Sequence, residues 1–166
     1  MRPMSSRSSH VPFGLVLIRF VAGAIAMTHG WGWIRDAPLS GSSVRRAVSA
    51  SVEDLPGIVA WWGETLLLSN PDGVAFLWTW AAFLVGAALT SGALTRPAGT
   101  LAALFAFHGA LYGPEEHLAL FQLYTVAAIA CAAGAAGRRL GLDSELDSRL
   151  PTWLTWNKDR GPSIFG

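Results

Sequence analysis

The side chains in this sequence that could do chemistry sit where chemistry is costly, inside long apolar runs. Arg19 and His29 lie in one such run, Trp78 and Trp80 in a second, His108 in a third, and Gln122, Tyr124 and Thr125 in a fourth. An ionisable group in such a run usually faces protein or a water-filled cavity. Counting inward from one end of each run puts His29, Trp78, Trp80, His108, Gln122, Tyr124 and Thr125 at a similar depth. A layer of this kind could line a pocket for a quinone head group. Imidazole can hydrogen-bond a quinone carbonyl and exchange a proton near neutral pH, and Trp and Tyr rings can stack on a flat ring. The competing account is plain: Trp and Tyr are enriched at any membrane interface, and a His near the end of a span often meets only water or a carbonyl.

The elements that must hold these residues are the apolar runs themselves, at 13–34, 74–94, 97–113 and 118–137. Each meets or approaches the roughly 20 residues that cross about 30 Å of hydrocarbon. Lipid offers no partner to unpaired N–H and C=O groups, so each must be a helix. The expected fold is therefore all-α, a four-helix transmembrane bundle forming one integral membrane domain over residues 1–166. Composition agrees, with 52% hydrophobic and 14% charged residues against about 25% charged in a soluble domain.

The near-balance of 12 Lys and Arg with 11 Asp and Glu gives no reason to expect a nucleic-acid partner. A zinc pattern and a Gly-rich phosphate loop are both missing. The single cysteine, Cys131, rules out a disulfide or a Cys-x-x-Cys pair within the chain and reads as a small core residue. Arg2, Arg7 and the small-x-small triplet at 24–26 have the outline of a cleaved signal peptide. Arg19 in its centre and an apolar run continuing to Ile34 argue against cleavage.

With four spans, the N-terminus, the 95–96 turn and the tail at 138–166 share one side. That side carries eight cations, Arg2, Arg7, Arg96, Arg138, Arg139, Arg149, Lys158 and Arg160, against Arg35, Arg45 and Arg46 on the other. The positive-inside rule then makes both termini cytoplasmic, as in a bacterial inner (cytoplasmic) membrane. The outer loop at 35–73 contains an apolar stretch at 55–68 in which Leu55, Ile58, Val59, Trp62 and Leu66 share a helical face. Two roles remain open for it, a short interfacial helix or a cap over the bundle's outer mouth. Trp153 and Trp156 in the tail are placed to rest on the cytoplasmic interface.

Small residues recur at four-residue spacing, at Ala82 and Gly86, Ala88 and Gly92, Gly99 and Ala103, and Ala102, Ala106 and Ala110. Such stripes let helix backbones approach closely. In the third span, His108 lies roughly opposite the small stripe. Either the stripe packs on another subunit and His108 faces inward, or His108 is peripheral. Along the first span a 3.5-residue seam gives Arg19, Ala22, Ala26, His29 and Trp33, with Arg19 and His29 about 15 Å apart. Arg19 either faces the bundle or snorkels to the cytoplasmic headgroups. A His29 and His108 pair could ligate haem b, but one candidate pair without supporting geometry makes haem the weaker expectation.

Three segments together carry a family resemblance: LIRFVAGAIAMTHGW at 17–31, GAALTSGALTRP at 86–97 and GRRLGLD at 137–143. Over about residues 17–143 the chain resembles the DoxX/DoxD family of four-helix membrane proteins. Family members carry an Arg and a terminal His-Gly in the first helix, matched by Arg19 and His29-Gly30. Their Gly-x-x-Thr-Arg turn is matched at 92–96 and their Gly-Leu-Asp at 141–143. Many also carry a Glu in the second helix, where this chain has Ala82, and a Lys after His-Gly, where it has Trp33.

The resemblance implies association with quinone-linked oxidoreductases, including the DoxD subunit of thiosulfate:quinone oxidoreductase. Two functions follow as expectations. One is a membrane subunit of such a complex, binding the quinone head group through the layer described, with His29 and His108 as proton partners. The other is a non-catalytic accessory subunit of a larger respiratory, photosynthetic or transport assembly, docked to other membrane or peripheral subunits. A small-solute transporter is a weaker third, since no inverted repeat or pair of broken helices is present.

Overall fold

A computed structural model describes residues 13–36, 38–113, 115–134 and 141–146, which are mostly helical with no strand among them. Four long helices are α1 (Phe13–Arg35), α4 (Pro71–Ser91), α5 (Thr95–Tyr112) and α6 (Leu118–Ala133). Two shorter ones, α2 (Gly41–Ser51) and α3 (Gly57–Trp62), fold the connection between α1 and α4, and α7 (Asp143–Leu146) is a single turn. A 3-10 turn, Glu115–His117, leads into α6. By length and composition, α1, α4 and the segment Glu115–Ala133 are long and apolar enough to cross a membrane. The 18 residues of α5 extend about 27 Å, but Thr95, Arg96, Thr100 and His108 dilute its apolar character.

Local chemistry sets the ends of α4. Asn70 caps its start, with Oδ1 accepting from Gly73 N–H at 3.0 Å, and Pro71 occupies the first turn, where no intrahelical donor is needed. Gly92 ends it at φ 70. Ala93 N–H reaches back to Ala88 C=O at 2.9 Å and Gly92 N–H to Leu89 C=O at 3.2 Å, the pattern by which a left-handed glycine satisfies a helix's last carbonyls.

The small stripes are spent inside the chain. α1 packs chiefly on α4 and α5 on α6, with α4 to α5 and α1 to α6 contacts joining the two pairs. A β-carbon at Gly23 would meet Thr90 and the Gly86 carbonyl, and one at Gly86 would meet the Met27 backbone. Glycine here is what permits the backbones to touch. Gly99 plays the same part against Ala128 and Ala132 of α6. The resulting core is Val85, Leu89, Ala98, Ala102, Ala128 and the free cysteine Cys131, with Tyr124 packed against it. Large apolar side chains cover the outside instead: Leu17, Phe20, Phe76, Leu84, Leu101, Leu104, Leu123 and Ile129 are all exposed. An apolar exterior around a core of small residues is the arrangement that lipid favours over water.

The 35–73 connection holds a second helix, α2, beyond the one expected at 55–68. α2 begins at the cap Ser40, whose side chain accepts from Ser43 N–H at 3.3 Å, and buries Val44 and Val48. With Leu67, Ala75 and Tyr112 they form a second small core at this end of the bundle. Leu55, Val59 and Leu68 pack against it, and the Tyr112 hydroxyl donates to Val59 C=O at 2.8 Å. The segment is thus a cap over the bundle's end. Ile58, Trp61, Trp62 and Leu66 still present exposed surface. The expected common face therefore splits, with Leu55 and Val59 turned to the core and Ile58 and Leu66 turned out.

Candidate functional site

The seven expected site residues do not converge on one place. His108 of α5 is half-buried beneath α3. Trp62 donates its indole N–H to His108 Nε2 at 3.2 Å, while His108 Nδ1 lies 2.8 Å from Leu104 C=O. Indole is donor-only, so Nε2 must accept and the proton belongs on Nδ1. Both ring nitrogens are therefore occupied in the neutral imidazole. Trp62, Trp78, Phe107 and Tyr112 surround the ring at centroid distances of 6.2, 6.5, 6.4 and 6.4 Å.

His29 stands elsewhere, exposed on α1, with Trp33 as its ring neighbour at 6.2 Å. No hydrogen bond or ring contact joins it to His108. The expected 3.5-residue seam fails because a straight helix turns 100° per residue, which carries position 29 about 80° away from position 19. Gly30 returns to the Arg19 face, and it is Gly30 that is buried with Val16, Arg19, Ala22 and Gly23. Gln122 is exposed, and Tyr124 spends its hydroxyl on Ala22 C=O of α1 at 3.0 Å. Thr125 likewise bonds within its own helix, to Phe121 C=O at 2.8 Å. Of the expected layer, the fold brings together His108 and Trp78 alone.

Arg19 is fully buried at the opposite end of the bundle, near the α4 to α5 turn. A β-carbon on Gly92 would run into its guanidinium and the Gly141 backbone. The carboxylate of Asp143 acts on it electrostatically. Asp143 itself is 4% exposed and accepts from Leu94 N–H at 2.6 Å and Thr95 N–H at 3.0 Å. Those are the first donors of α5, whose own N-cap residue, Leu94, sits at φ 51 and offers no side-chain acceptor. A carboxylate 48 residues downstream thus caps the helix and complements its positive end. Asp143 N–H to Gly92 C=O at 2.9 Å and Leu142 N–H to Ser91 C=O at 3.2 Å complete the dock. Sequence spacing gave no sign that Arg19, Gly92 and Asp143 meet. The one available signal was an αL-type Gly turn lacking a Ser, Thr, Asp or Asn before the next helix.

The cap end holds a feature that sequence reasoning missed. A cleft of about 270 Å³ opens between the end of α1, the 38–41 connection and the first turns of α4. Trp33, Ile34, Leu39, Phe76 and Trp80 form apolar walls, while Asp72, Ser40 and Thr79 contribute polar groups. Trp80, expected in the histidine layer, is here instead. No group of three or more His, Cys, Asp or Glu side chains gathers as a metal site among the described residues. No known protein family, characterised protein or solved structure matches the chain in sequence or fold comparison.

Proposed function

We propose that this chain is a non-catalytic accessory subunit of a larger membrane assembly, built as a four-helix transmembrane bundle of α1, α4, α5 and α6 with both termini cytoplasmic. The observation that carries this reading is the separation of His29 from His108, each with different neighbours and no hydrogen bond or ring contact between them. A quinone pocket needs convergent polar groups around one concave site, and both His108 nitrogens are already engaged by Trp62 and Leu104. The apolar exterior supports membrane placement. α3 and the turn that follows it keep Ile58, Trp61 and Leu66 outward as an interfacial element, while Val59 and Leu67 face the core that closes the bundle.

The resemblance to DoxX/DoxD proteins rests on sequence motifs, of which Arg19, Gly92 and Asp143 lie together in one buried cluster. It makes a quinone-linked oxidoreductase the first assembly to examine, with this chain as a scaffold within it. The test is quinone binding by the isolated chain in nanodiscs. The reading expects no saturable ubiquinone or menaquinone binding, and no difference between the parent and a His29→Ala, His108→Ala double variant. Stoichiometric quinone lost on replacing either histidine would restore the quinone-site alternative.

A further inference from the structure

The cap-end cleft has a composition that selects its ligand. Its one acidic lining group is Asp72, and its walls include three electron-rich rings, Trp33, Phe76 and Trp80; Phe76 and Trp80 lie 6.3 Å apart with planes tilted by 54°. The neighbouring charges at the end of α1 cancel each other, because Arg35 Nε and Asp36 Oδ1 form an ion pair at 3.0 Å.

Hydrogen-bond accounting narrows the choice further. The Gly41 N–H is taken by Asp72 Oδ1 at 3.1 Å, and the Thr79 hydroxyl donates to Ala75 C=O at 2.9 Å. Ser40 Oγ is shared with the Ser42 and Ser43 hydroxyls, each at 2.9 Å. The Gly41 N–H and the Thr79 and Ser40 hydroxyls are thus engaged, while Asp72 bonds through one carboxylate oxygen and leaves the second to a ligand. A carbonyl ligand such as a quinone could use the indole N–H groups of Trp33 and Trp80 but would leave the Asp72 carboxylate, an acceptor, without a partner. A cation would find an acidic group and aromatic faces, the combination that recognises quaternary ammonium groups.

We propose that this cleft binds an organic ammonium group of the choline or ethanolamine type, with Asp72 as counter-charge and Trp33, Phe76 and Trp80 as the aromatic wall. Gly41 is part of the site's construction, since a β-carbon there would meet the Asp72 carboxylate. At about 270 Å³ the volume suits a small head group and not a whole drug-sized molecule. The ammonium can come from a lipid of the surrounding leaflet or from a free solute. The lipid source rests on the membrane placement proposed above, and the free solute does not.

The experiment is choline binding to the full chain in nanodiscs of phosphatidylglycerol, followed by ligand-observed NMR and tryptophan fluorescence. Saturable binding is expected, about tenfold tighter than for 3,3-dimethylbutanol, the uncharged isostere of choline. Asp72→Asn keeps an acceptor for Gly41 N–H and should weaken choline about fivefold, and Trp80→Leu should weaken it by a similar factor. In phosphatidylcholine nanodiscs, loss of free choline binding identifies a lipid source, whereas unchanged affinity identifies a soluble one. The proposal is overturned if choline does not saturate, if the uncharged isostere binds equally well, or if Asp72→Asn binds choline as the parent does. Quinone binding without choline binding would overturn both this and the accessory-subunit reading; choline failure alone leaves that reading standing.

Discussion

Replacing Asp143 with alanine should destabilise the bundle out of proportion to the exposure of its end, because one carboxylate serves three groups, two backbone N–H donors and the Arg19 guanidinium. It accepts from Leu94 N–H and Thr95 N–H at 2.6 and 3.0 Å, caps a helix that has no local cap, and supplies an opposite charge to the fully buried Arg19. Loss of a helix cap typically costs about 1 kcal/mol, and leaving a buried donor unsatisfied costs about 1 to 3 kcal/mol. Removing the counter-charge from a buried guanidinium adds to this. Allowing for overlap, about 3 kcal/mol is expected for Asp143→Ala, and about half of that for Asp143→Asn, which keeps one acceptor oxygen. For a chain of 166 residues, each kcal/mol moves Tm by roughly 2 to 4 °C, so tryptophan-monitored melting in mild detergent should show a drop near 10 °C for alanine. A cycle with Arg19→Leu should be non-additive by about 1 kcal/mol or more, since the two groups share one environment. An Asp143→Ala protein that melts within about 2 °C of the parent, or strict additivity with Arg19→Leu, would refute the capping argument.

Three further outcomes follow from the same packing. Gly86→Ala places a β-carbon against the Met27 backbone and the Gly23 carbonyl, and should cost about 1 to 3 kcal/mol through overpacking; melting of the purified variant measures it. Tyr112→Phe removes the hydrogen bond to Val59 C=O and should cost about 1 kcal/mol, read as faster amide exchange confined to the cap around residues 57–67. Reporter fusions after residues 36, 93 and 166 should give extracytoplasmic, cytoplasmic and cytoplasmic activity in turn. An extracytoplasmic signal at 166 would reverse the proposed orientation or remove a span.

Helix content was legible, as were the long apolar helices α1, α4 and α6, because a long run with few charges has few other solutions in lipid; the 97–113 segment is a helix too, but a less apolar one than those three. The helix-pair contacts were half legible. Gly86 and Gly99 were marked as small, but which neighbour each would meet depends on helix rotation, and sequence spacing does not fix that. α2 was overlooked because its composition is polar, although Ser40 followed by Val44 and Val48 is a cap with an i, i+4 apolar pair. The histidine layer failed for a geometric reason. Depth alone was used to group His29 with His108, and depth leaves the angle around each helix undetermined; at 100° per residue His29 turns out of the α1 interface that Arg19 and Gly30 share. Asp143 escaped notice because its role is to cap an element 48 residues away, a relation that no local pattern encodes.

The central claim, a scaffold without its own quinone chemistry, is tested most directly by native mass spectrometry of the tagged chain isolated in mild detergent from its own cell membranes. The account predicts one fixed-stoichiometry complex with other subunits that remains together on dilution, with any quinone lost when the chain is separated from them. A chain that leaves the membrane alone, carrying one quinone per copy, would contradict it.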